Sequence, residues 1–287
     1  MEILHTVAEL RARLEAEAQV AFVPTMGNLH AGHLHLVEIA KQHASCVVVS
    51  IFVNPLQFGA NEDLDNYPRT LQADCEKLQA AGAHIVFAPS VTEMYPDANA
   101  SALGQTMMVT APPIANTLCG ASRPGHFDGV ATVVMKLFNI VQPQFAVFGK
   151  KDFQQLFIIR ELVKHFSLPV QIIAGETVRE SSGLAMSSRN GYLSPTQKSE
   201  AALLQQTLQH IINEIQAGNR NLAALEQAAT QRLNDHGWQV DYVSICSANT
   251  LHKASMQDQH LVVLAAAKLG NTRLIDNIEF QVNHSHE

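Results

Sequence analysis

Apolar residues in the first two-thirds of the chain alternate between short β-branched runs and longer stretches with helical spacing. A short apolar run bounded by turn residues is typical of a strand, and apolar residues recurring every three to four positions are typical of a helix. The predicted strands are Val20–Val23, Val47–Val53, Ile85–Ala88, Phe145–Phe148 and Val170–Ala174. The predicted helices are Val7–Glu17, Leu34–His43, Thr70–Ala81, Gly129–Val141 and Asp152–His165.

This alternation predicts an α/β fold with a Rossmann-like parallel sheet, because parallel strands need a crossover connection, usually a helix, between them. Ligands of such sheets bind in the crevice beyond the carboxyl ends of the strands. We therefore expect the functional loops to follow Val23, Val53, Phe148 and Ile173.

The pattern changes after about residue 176, where two long helical stretches precede three β-rich pieces. The helices are predicted at Pro195–Gln216 and Leu222–His236, and the strands at Val240–Cys246, Leu261–Ala267 and Thr272–Ile278. Gly270-Asn271 between the last two strands is a hairpin signal. The sequence thus predicts two domains, residues 1–176 with the Rossmann-like sheet and residues 177–287 with a smaller α+β fold.

The charge and cysteine content of the chain limit the kinds of partner and the cellular compartment that can be expected. The chain has 287 residues, 19 basic and 26 acidic, and a net charge of −7. This balance argues against a nucleic-acid surface but does not exclude a small anion held by a few local cations. The first twenty residues carry six charged side chains, no apolar run could span a membrane, and the four cysteines form no C-x-x-C pair. We expect a cytoplasmic protein with free thiols and without a membrane partner.

The first candidate loop, Pro24–His33, joins a predicted strand to a predicted helix and contains the motif H-x-G-H at His30–His33. A Walker phosphate loop is rejected because His33 stands where that loop needs lysine, and no G-x-G of a dinucleotide fingerprint occurs. A helix amino end flanked by two imidazoles predicts an anion site. A tight turn with incidental histidines is one alternative. A zinc site is another, although no cysteine or acidic ligand adjoins.

Two further loops leave the second and fourth predicted strands. Asn54 and Gln57 are amides that donate and accept hydrogen bonds, which suits a ligand with hydroxyl and carboxylate groups, although such amides also serve loop backbones. Lys151 places a cation at the same edge of the sheet, with Gln155 one turn further on. Asp152 there is equally suited to capping the helix.

The segment Met186–Arg189 combines two hydroxyls with a guanidinium, which predicts a phosphate clamp. It lies at the domain junction, where a mobile lid could close over a nucleotide. Arg123–Gly129 is a weaker candidate for the same site. Tyr67–Thr70 with Asp74 could add a cation or an acid, but the start of a helix is the favoured explanation of these residues.

Six of these segments occur in the order in which they occur in one known family. They are Pro24–His33, Phe52–Phe58, Tyr67–Thr70, Ser122–Phe127, Phe148–Leu156 and Met186–Leu193. Together they resemble the pantothenate synthetase (pantoate–β-alanine ligase) family of the H-x-G-H nucleotidyl transferase superfamily, through residues 1–195 and again at Leu261–Asn277. The resemblance implies ATP-dependent joining of pantoate to β-alanine through pantoyl-adenylate, with release of AMP and pyrophosphate. It also implies Mg²⁺ bound with ATP, and a homodimer.

The resemblance carries residue roles with it. Catalysis is assigned to His33, as proton donor, and to His30, Lys151 and Arg189. The ATP-binding set is Met26, Gly27, Asn28, Leu29, His30, Ala31, Gly32, His33, Gly149, Lys150, Lys151, Asp152, Val178, Met186, Ser187, Ser188 and Arg189. Pantoate is assigned to Gln57, Gln155 and Asn54, and β-alanine to Gln57, with no protein ligand for a metal. Lys150 departs from the family, where an acidic residue is expected, and Ala73 departs from the acidic residue of some relatives.

Three alternatives remain open at this point. A nucleotidyl transferase that passes AMP or CMP to a phosphorylated acceptor shares the H-x-G-H loop but leaves Gln57 and Gln155 without a role. An aminoacyl-tRNA synthetase lacks support because no basic tRNA-binding domain is visible in the sequence. A nucleotide-binding sensor without turnover would bind ATP and form no AMP.

Overall fold

The fold is that of a computed structural model, which describes residues 1–59, 62, 64–99, 102–255 and 257–282. These residues form two compact units. The first comprises Met1–Ala115, Arg123–Lys150 and Gln155–Glu176. The second comprises Asn116–Ser122, Lys151–Gln154 and the described chain from Thr177 onward. The two short pieces of the second unit, Asn116–Ser122 and Lys151–Gln154, lie within the range expected for the first domain, and the two-domain division at residue 176 stays a prediction.

The first unit is built on a parallel sheet, which confirms the predicted fold class. Its strands are β1 (Glu2–Leu4), β2 (Val20–Thr25), β3 (Cys46–Ile51), β4 (Ile85–Phe87), β5 (Phe145–Gly149) and β6 (Gln171–Gly175). They pair in the order β1-β4-β3-β2-β5-β6, all in parallel. In this order β3 is the neighbour of β2 on one side, and β5, followed by β6, lies on the opposite side of β2. The loops after β2 and β5 therefore lie at a topological switch point, where ligands of such sheets bind.

The helices of this sheet flank central strands, β2 to β5, whose residues are mostly buried. They are α1 (Val7–Leu14), α2 (Ala31–Lys41), α3 (Leu71–Ala81), α4 (Val91–Met94), α5 (His126–Val141) and α6 (Phe153–His165), of which α6 begins in the second unit. The apolar core of the unit includes Val23, Val37, Val49, Leu78 and Val147. This burial on both faces explains why the strands appear in the sequence as continuous apolar runs.

Some predicted boundaries differ from the structure for local reasons, and one short strand was not predicted. β2 continues past Val23 because Pro24 still pairs with Ser50 of β3 although it has no N–H to donate. α2 begins at Ala31 rather than Leu34, since His30 caps it. β1 was not predicted, because three residues are too few to show an alternating pattern.

The second unit has the predicted α+β composition. Its main elements are α7 (Pro195–Gln216), α8 (Leu222–Asp235), β7 (Trp238–Ser247), β8 (His260–Leu269) and β9 (Thr272–Gln281). The three strands form an antiparallel sheet in the order β7-β8-β9. Leu269 pairs with Thr272 across the two-residue turn Gly270-Asn271, where Gly270 takes a positive φ of 58°. The hairpin signal is therefore confirmed, and the apolar faces of α7, α8 and the sheet form the core of this unit.

All four cysteines are buried free thiols, as expected from their spacing. Within the ranges that the structure describes, no helix is both long and apolar enough to cross a membrane.

Candidate functional site

The loop after β2 turns sharply before α2 begins. Gly27 and Asn28 have consecutive positive φ values of 84° and 51°. A Cβ on Gly27 would lie 3.1 Å from Ile51 Cγ2 and 3.2 Å from Asp74 Oδ2, closer than most real Cβ contacts. Glycine at this position therefore lets the loop fit tightly against its neighbours, and the tight turn brings His30 to the start of α2.

The two histidines of the H-x-G-H motif cap α2 reciprocally. His30 Nδ1 accepts a hydrogen bond from the Gly32 N–H at 3.1 Å, and His33 Nδ1 accepts one from the His30 N–H at 3.3 Å. This is a capping box in which imidazoles take the places of the usual Ser and Glu. The ring centroids lie 4.1 Å apart. Because Nδ1 accepts in both neutral rings, the proton is on Nε2, and each ring can donate from that atom.

Three backbone N–H groups in the first turn of α2 already have acceptors within the protein. The Gly32 N–H is bonded to His30 Nδ1, and the His33 and Leu34 N–H groups are bonded to the His30 carbonyl at 2.9 and 3.3 Å. The sequence predicted an anion site from this helix end together with its two imidazoles, and that site stays a prediction.

A fully buried carboxylate holds the loop from beneath. Asp74 Oδ2 accepts from the Asn28 N–H at 2.8 Å and from Thr70 Oγ1 at 2.9 Å, and Asp74 Oδ1 accepts from the Leu29 N–H at 2.8 Å. Lys77 Nζ, one turn further along α3, donates to the Leu29 carbonyl at 2.7 Å. Asp74 was interpreted from the sequence as part of a helix start. Its position on the same helical face as buried Leu78 was the one available sign that it points inward.

The loop after β3 contains a saturated amide. Asn54 Nδ2 donates to Gln57 Oε1 at 3.1 Å and to the Gly129 carbonyl at 3.2 Å. Asn54 Oδ1 accepts from Tyr95 OH at 2.5 Å and from the Leu56 N–H at 3.3 Å. All four positions of this amide are thus occupied within the protein. Asn54 was expected to contact a ligand, but its geometry favours a role in fixing Gln57.

Gln57 is also held by a network from the start of α5. His126 Nδ1 lies 2.7 Å from the Gln57 carbonyl, and Arg123 Nη1 lies 2.9 Å from His126 Nε2. Since a guanidinium only donates, His126 Nε2 accepts and its proton is on Nδ1. Arg123 also makes a bidentate pair with Glu62, at 2.6 and 2.5 Å. Burial acts to raise the pKa of Glu62, but the hydrogen bonds and the charge of Arg123, with smaller contributions from His126 and the Gly59 backbone, together outweigh burial and lower that pKa.

Three of the predicted site residues near the end of β5, Gly149, Lys150 and Gln155, belong to the first unit. Lys150 pairs with Glu176, with 2.5 Å between Nζ and Oε1. The carboxylate partly offsets the extra cation that Lys150 introduces, while Gly149 ends β5. Gln155 lies half-buried in the first turn of α6.

The remaining predicted residues lie in the second unit. Lys151 Nζ is 3.9 Å from Asp152 Oδ2, and the Lys151 carbonyl accepts from Asn277 Nδ2 at 2.8 Å. The Met186 N–H donates to the Val178 carbonyl at 2.9 Å, which closes a short hairpin. Beyond it the Ser187 hydroxyl accepts from the Arg189 N–H at 3.2 Å and caps a 3₁₀ turn that contains Ser188. The Ser187 hydroxyl is therefore already a cap as well as a candidate phosphate contact.

An ion pair between a partly exposed arginine and a buried aspartate supports this hairpin. Arg179 donates to both carboxylate oxygens of Asp276, at 2.7 and 2.9 Å, and to the Gly183 carbonyl at 3.0 Å. Asp276 is 3% exposed, and burial raises its pKa although the ion pair with Arg179 opposes the rise. Neither residue was predicted, because their positions are 97 residues apart in the chain.

Comparison with known proteins gives a consistent result. The family model described as pantoate-beta-alanine ligase matches residues 2–279. A pantothenate synthetase of Methylobacillus flagellatus is 68% identical over 282 residues, which are 98% of this chain and 99% of the relative. The solved pantothenate synthetase of Thermus thermophilus has a TM-score of 0.90 at 44% identity, with 97% of this chain and 99% of that one covered. A Francisella tularensis pantoate-beta-alanine ligase, complexed with beta-gamma ATP and beta-alanine, has a TM-score of 0.75 at 34% identity, with 97% of both chains covered.

Proposed function

Because the chain belongs to the pantoate–β-alanine ligase family, we propose that it joins pantoate to β-alanine through pantoyl-adenylate and releases AMP and pyrophosphate. Family membership makes the chain an ATP-binding ligase of pantothenate biosynthesis. The intermediate, the products and the residue roles are the proposal. The ATP compound and the β-alanine in the Francisella relative support these two ligands here.

The observation that carries the proposal is the imidazole capping box of His30 and His33. It fixes both rings with Nδ1 accepting, at distances of 3.1 and 3.3 Å. Two Nε2–H donors at a switch-point loop suit an oxygen-rich phosphate chain. In the proposed reaction His33 donates to a phosphate oxygen as charge builds on the departing pyrophosphate, and His30 supports the same group.

The first step joins two anions. A pantoate carboxylate oxygen bonds to the α-phosphorus of ATP, and the bond from that phosphorus to the bridging oxygen of pyrophosphate breaks. The protein has to position the reactants and provide positive potential, because the carboxylate itself is the nucleophile. Lys151 and Arg189 are proposed to supply positive charge to the phosphates of ATP.

Pantoate is assigned to the amides of Gln57 and Gln155, which recognise hydroxyl and carboxylate oxygens. Asn54 is assigned a positioning role instead, because its four hydrogen-bonding positions are occupied. β-Alanine is assigned to the same amide of Gln57. Its neutral amine attacks the acyl carbon of the adenylate, loses a proton as the amide forms, and displaces AMP.

The adenylate is a mixed anhydride that water would hydrolyse, so its surroundings must exclude water. We assign that role to the segment Met186–Arg189, with the backbone of Val178 contacting the nucleotide base. The hairpin bond between Met186 and Val178 supports this assignment, because it joins the two proposed contacts in one element.

Magnesium is proposed to enter with ATP. Among the residues that the structure describes, no group of three or more His, Cys, Asp and Glu side chains could hold a metal ion. Mg²⁺ is commonly bound by substrate phosphates and waters with one or two carboxylates. When bound, it would neutralise part of the phosphate charge.

A homodimer and a cytoplasmic location also belong to the proposal. The homodimer rests on the resemblance to the family. The cytoplasmic location is supported by four free thiols, which are usual in reducing compartments.

The decisive experiment is exchange of labelled pyrophosphate into ATP in the presence of pantoate and without β-alanine. We expect exchange only when pantoate is present, because pyrophosphate must reverse adenylate formation. Folded protein that binds ATP but catalyses no exchange would contradict the proposed intermediate. AMP transfer to a phosphorylated acceptor would favour a nucleotidyl transferase, and ATP binding without AMP from any acid and amine would favour a sensor.

A further inference from the structure

Asp74 is a charged group without any exposed surface. Burying a carboxylate is costly unless hydrogen bonds compensate it. Here three donors do so, and two of them are consecutive backbone N–H groups of the loop that leads into the H-x-G-H motif. The third is the Thr70 hydroxyl, from the residue just before α3. Most of the hydrogen bonds that stabilise the buried Asp74 carboxylate therefore come from this loop.

The loop conformation needs such support. Asn28 has a positive φ of 51°, a left-handed conformation that asparagine adopts more readily than most residues with a side chain but that is still uncommon outside glycine. Both backbone polar groups of Leu29 are hydrogen-bonded: its N–H donates to Asp74, and its carbonyl accepts from Lys77. The next residue is His30, whose N–H donates to His33 Nδ1. An unbroken series of contacts thus connects the Asp74 carboxylate with the His33 ring.

The chemistry of the contact requires a carboxylate. Each Asp74 oxygen accepts from one backbone N–H, at 2.8 Å in both cases. An asparagine has one acceptor oxygen and one donor NH₂ in the same space, so one of the two N–H groups would face another donor.

We propose that Asp74 is a positioning residue, which fixes the His33 imidazole for the reaction through Leu29 and the His30 N–H. The inference rests on the proposed function for its kinetic consequence. Lys77 completes the arrangement by holding the Leu29 carbonyl.

The test is a double-mutant cycle between Asp74→Asn and His33→Ala, measured as pantoate-dependent pyrophosphate exchange. Small displacements of a reacting group reduce rates steeply, so we expect Asp74→Asn alone to lower the rate about 10- to 100-fold. In the His33→Ala background the same change should lower the rate by no more than about threefold, because the group being positioned is gone. Equal losses in both backgrounds would reduce Asp74 to a structural residue and overturn the inference.

Matched variants separate this effect from general damage. Glu93→Gln converts another carboxylate that accepts a backbone N–H, from Val7 at 2.7 Å, and should leave the rate within about twofold. If Asp74→Asn fails to fold, Lys77→Met serves instead, with an expected loss of about three- to tenfold that also disappears in the His33→Ala background.

A second readout does not depend on turnover. The ¹⁵N chemical shifts of the His33 ring should report an accepting Nδ1 in the wild type and a weakened bond in Asp74→Asn, but no change in Glu93→Gln. Unchanged His33 shifts in Asp74→Asn would overturn the positioning role even if the enzyme acted on another substrate. Absence of exchange in the wild type would contradict the proposed function alone.

Discussion

Two buried aspartates support the two segments assigned to ATP, and they do so with different partners. Asp74 in the first unit accepts from three neutral donors, two of them backbone N–H groups. Asp276 in the second unit accepts from the Arg179 guanidinium, which also holds the hairpin at Gly183. Neutral donors fix geometry through several short bonds without a second buried charge. An ion pair places two charges in a weakly solvated position, and losing one partner leaves the other unpaired.

A buried aspartate can therefore fix the conformation of a loop in one place and neutralise a neighbouring cation in another. In the first unit we expect substitution near the carboxylate to act mainly on rate. In the second unit we expect it to act mainly on stability. Four predictions test this difference, beginning with the largest effect.

Arg179→Met should lower the free energy of unfolding by about 3–5 kcal/mol, because it leaves the Asp276 carboxylate buried without its cation. Urea unfolding monitored by circular dichroism measures the loss. Arg13→Met, which breaks an ion pair with Glu2 and Glu17 near the surface, is the matched control and should cost far less. Equal losses in both variants would show that the Asp276 pair has no special importance.

His33→Ala and Lys151→Ala should each lower the rate of pyrophosphate exchange by about 10²–10³-fold, the usual range for one donor that stabilises a transition state. One variant tests the first unit and the other the second. His35→Ala and Lys164→Ala are controls on exposed positions of α2 and α6. Near-wild-type exchange in either test variant would remove that residue from the mechanism.

Gln57→Ala should raise the KM for pantoate about tenfold, the effect of losing one or two hydrogen bonds, and should change the KM for ATP much less. Steady-state kinetics with each substrate varied in turn provide the measurement. Gln209→Ala removes an exposed amide of α7 and should change neither constant. A parallel rise in both constants would contradict the assignment of Gln57 to pantoate.

Glu62→Gln should alter the acid limb of the stability profile. The pKa of Glu62 is lowered from its ordinary value of 4.5, so its pair with Arg123 stabilises the fold above that value. This stabilisation is lost as pH falls through the lowered pKa. Unfolding measured from pH 6 to pH 3 should therefore be less pH-dependent in Glu62→Gln than in the wild type. Glu38→Gln, on an exposed face of α2, should retain the wild-type slope.

Much of the fold could be predicted from the sequence because its signals are local. The two-residue turn at Gly270 and the parallel strands with both faces buried follow from turn chemistry and apolar runs. The H-x-G-H loop could be predicted because its two histidines are neighbours in the chain. Its reciprocal capping could not, since imidazoles rarely replace the Ser and Glu of a capping box.

The supporting residues lie beyond sequence reasoning for a physical reason. Asp74 bonds to residues 46 and 45 positions away, and Arg179 bonds to a carboxylate 97 positions away. No periodicity or spacing records such contacts, because they depend on how separate elements pack. The saturation of Asn54 was equally hidden, since Tyr95 and Gly129 reach it from distant segments.

The saturated amide of Asn54 sets a limit on how this protein could acquire a different acid substrate. Replacing it with aspartate would turn two donors into acceptors that face the Gly129 carbonyl and Gln57 Oε1. Replacing it with a smaller residue would leave the Tyr95 hydroxyl buried without its acceptor. Position 54 is therefore closed to variation, and a library aimed at altered acid specificity has its useful freedom at positions 57 and 155.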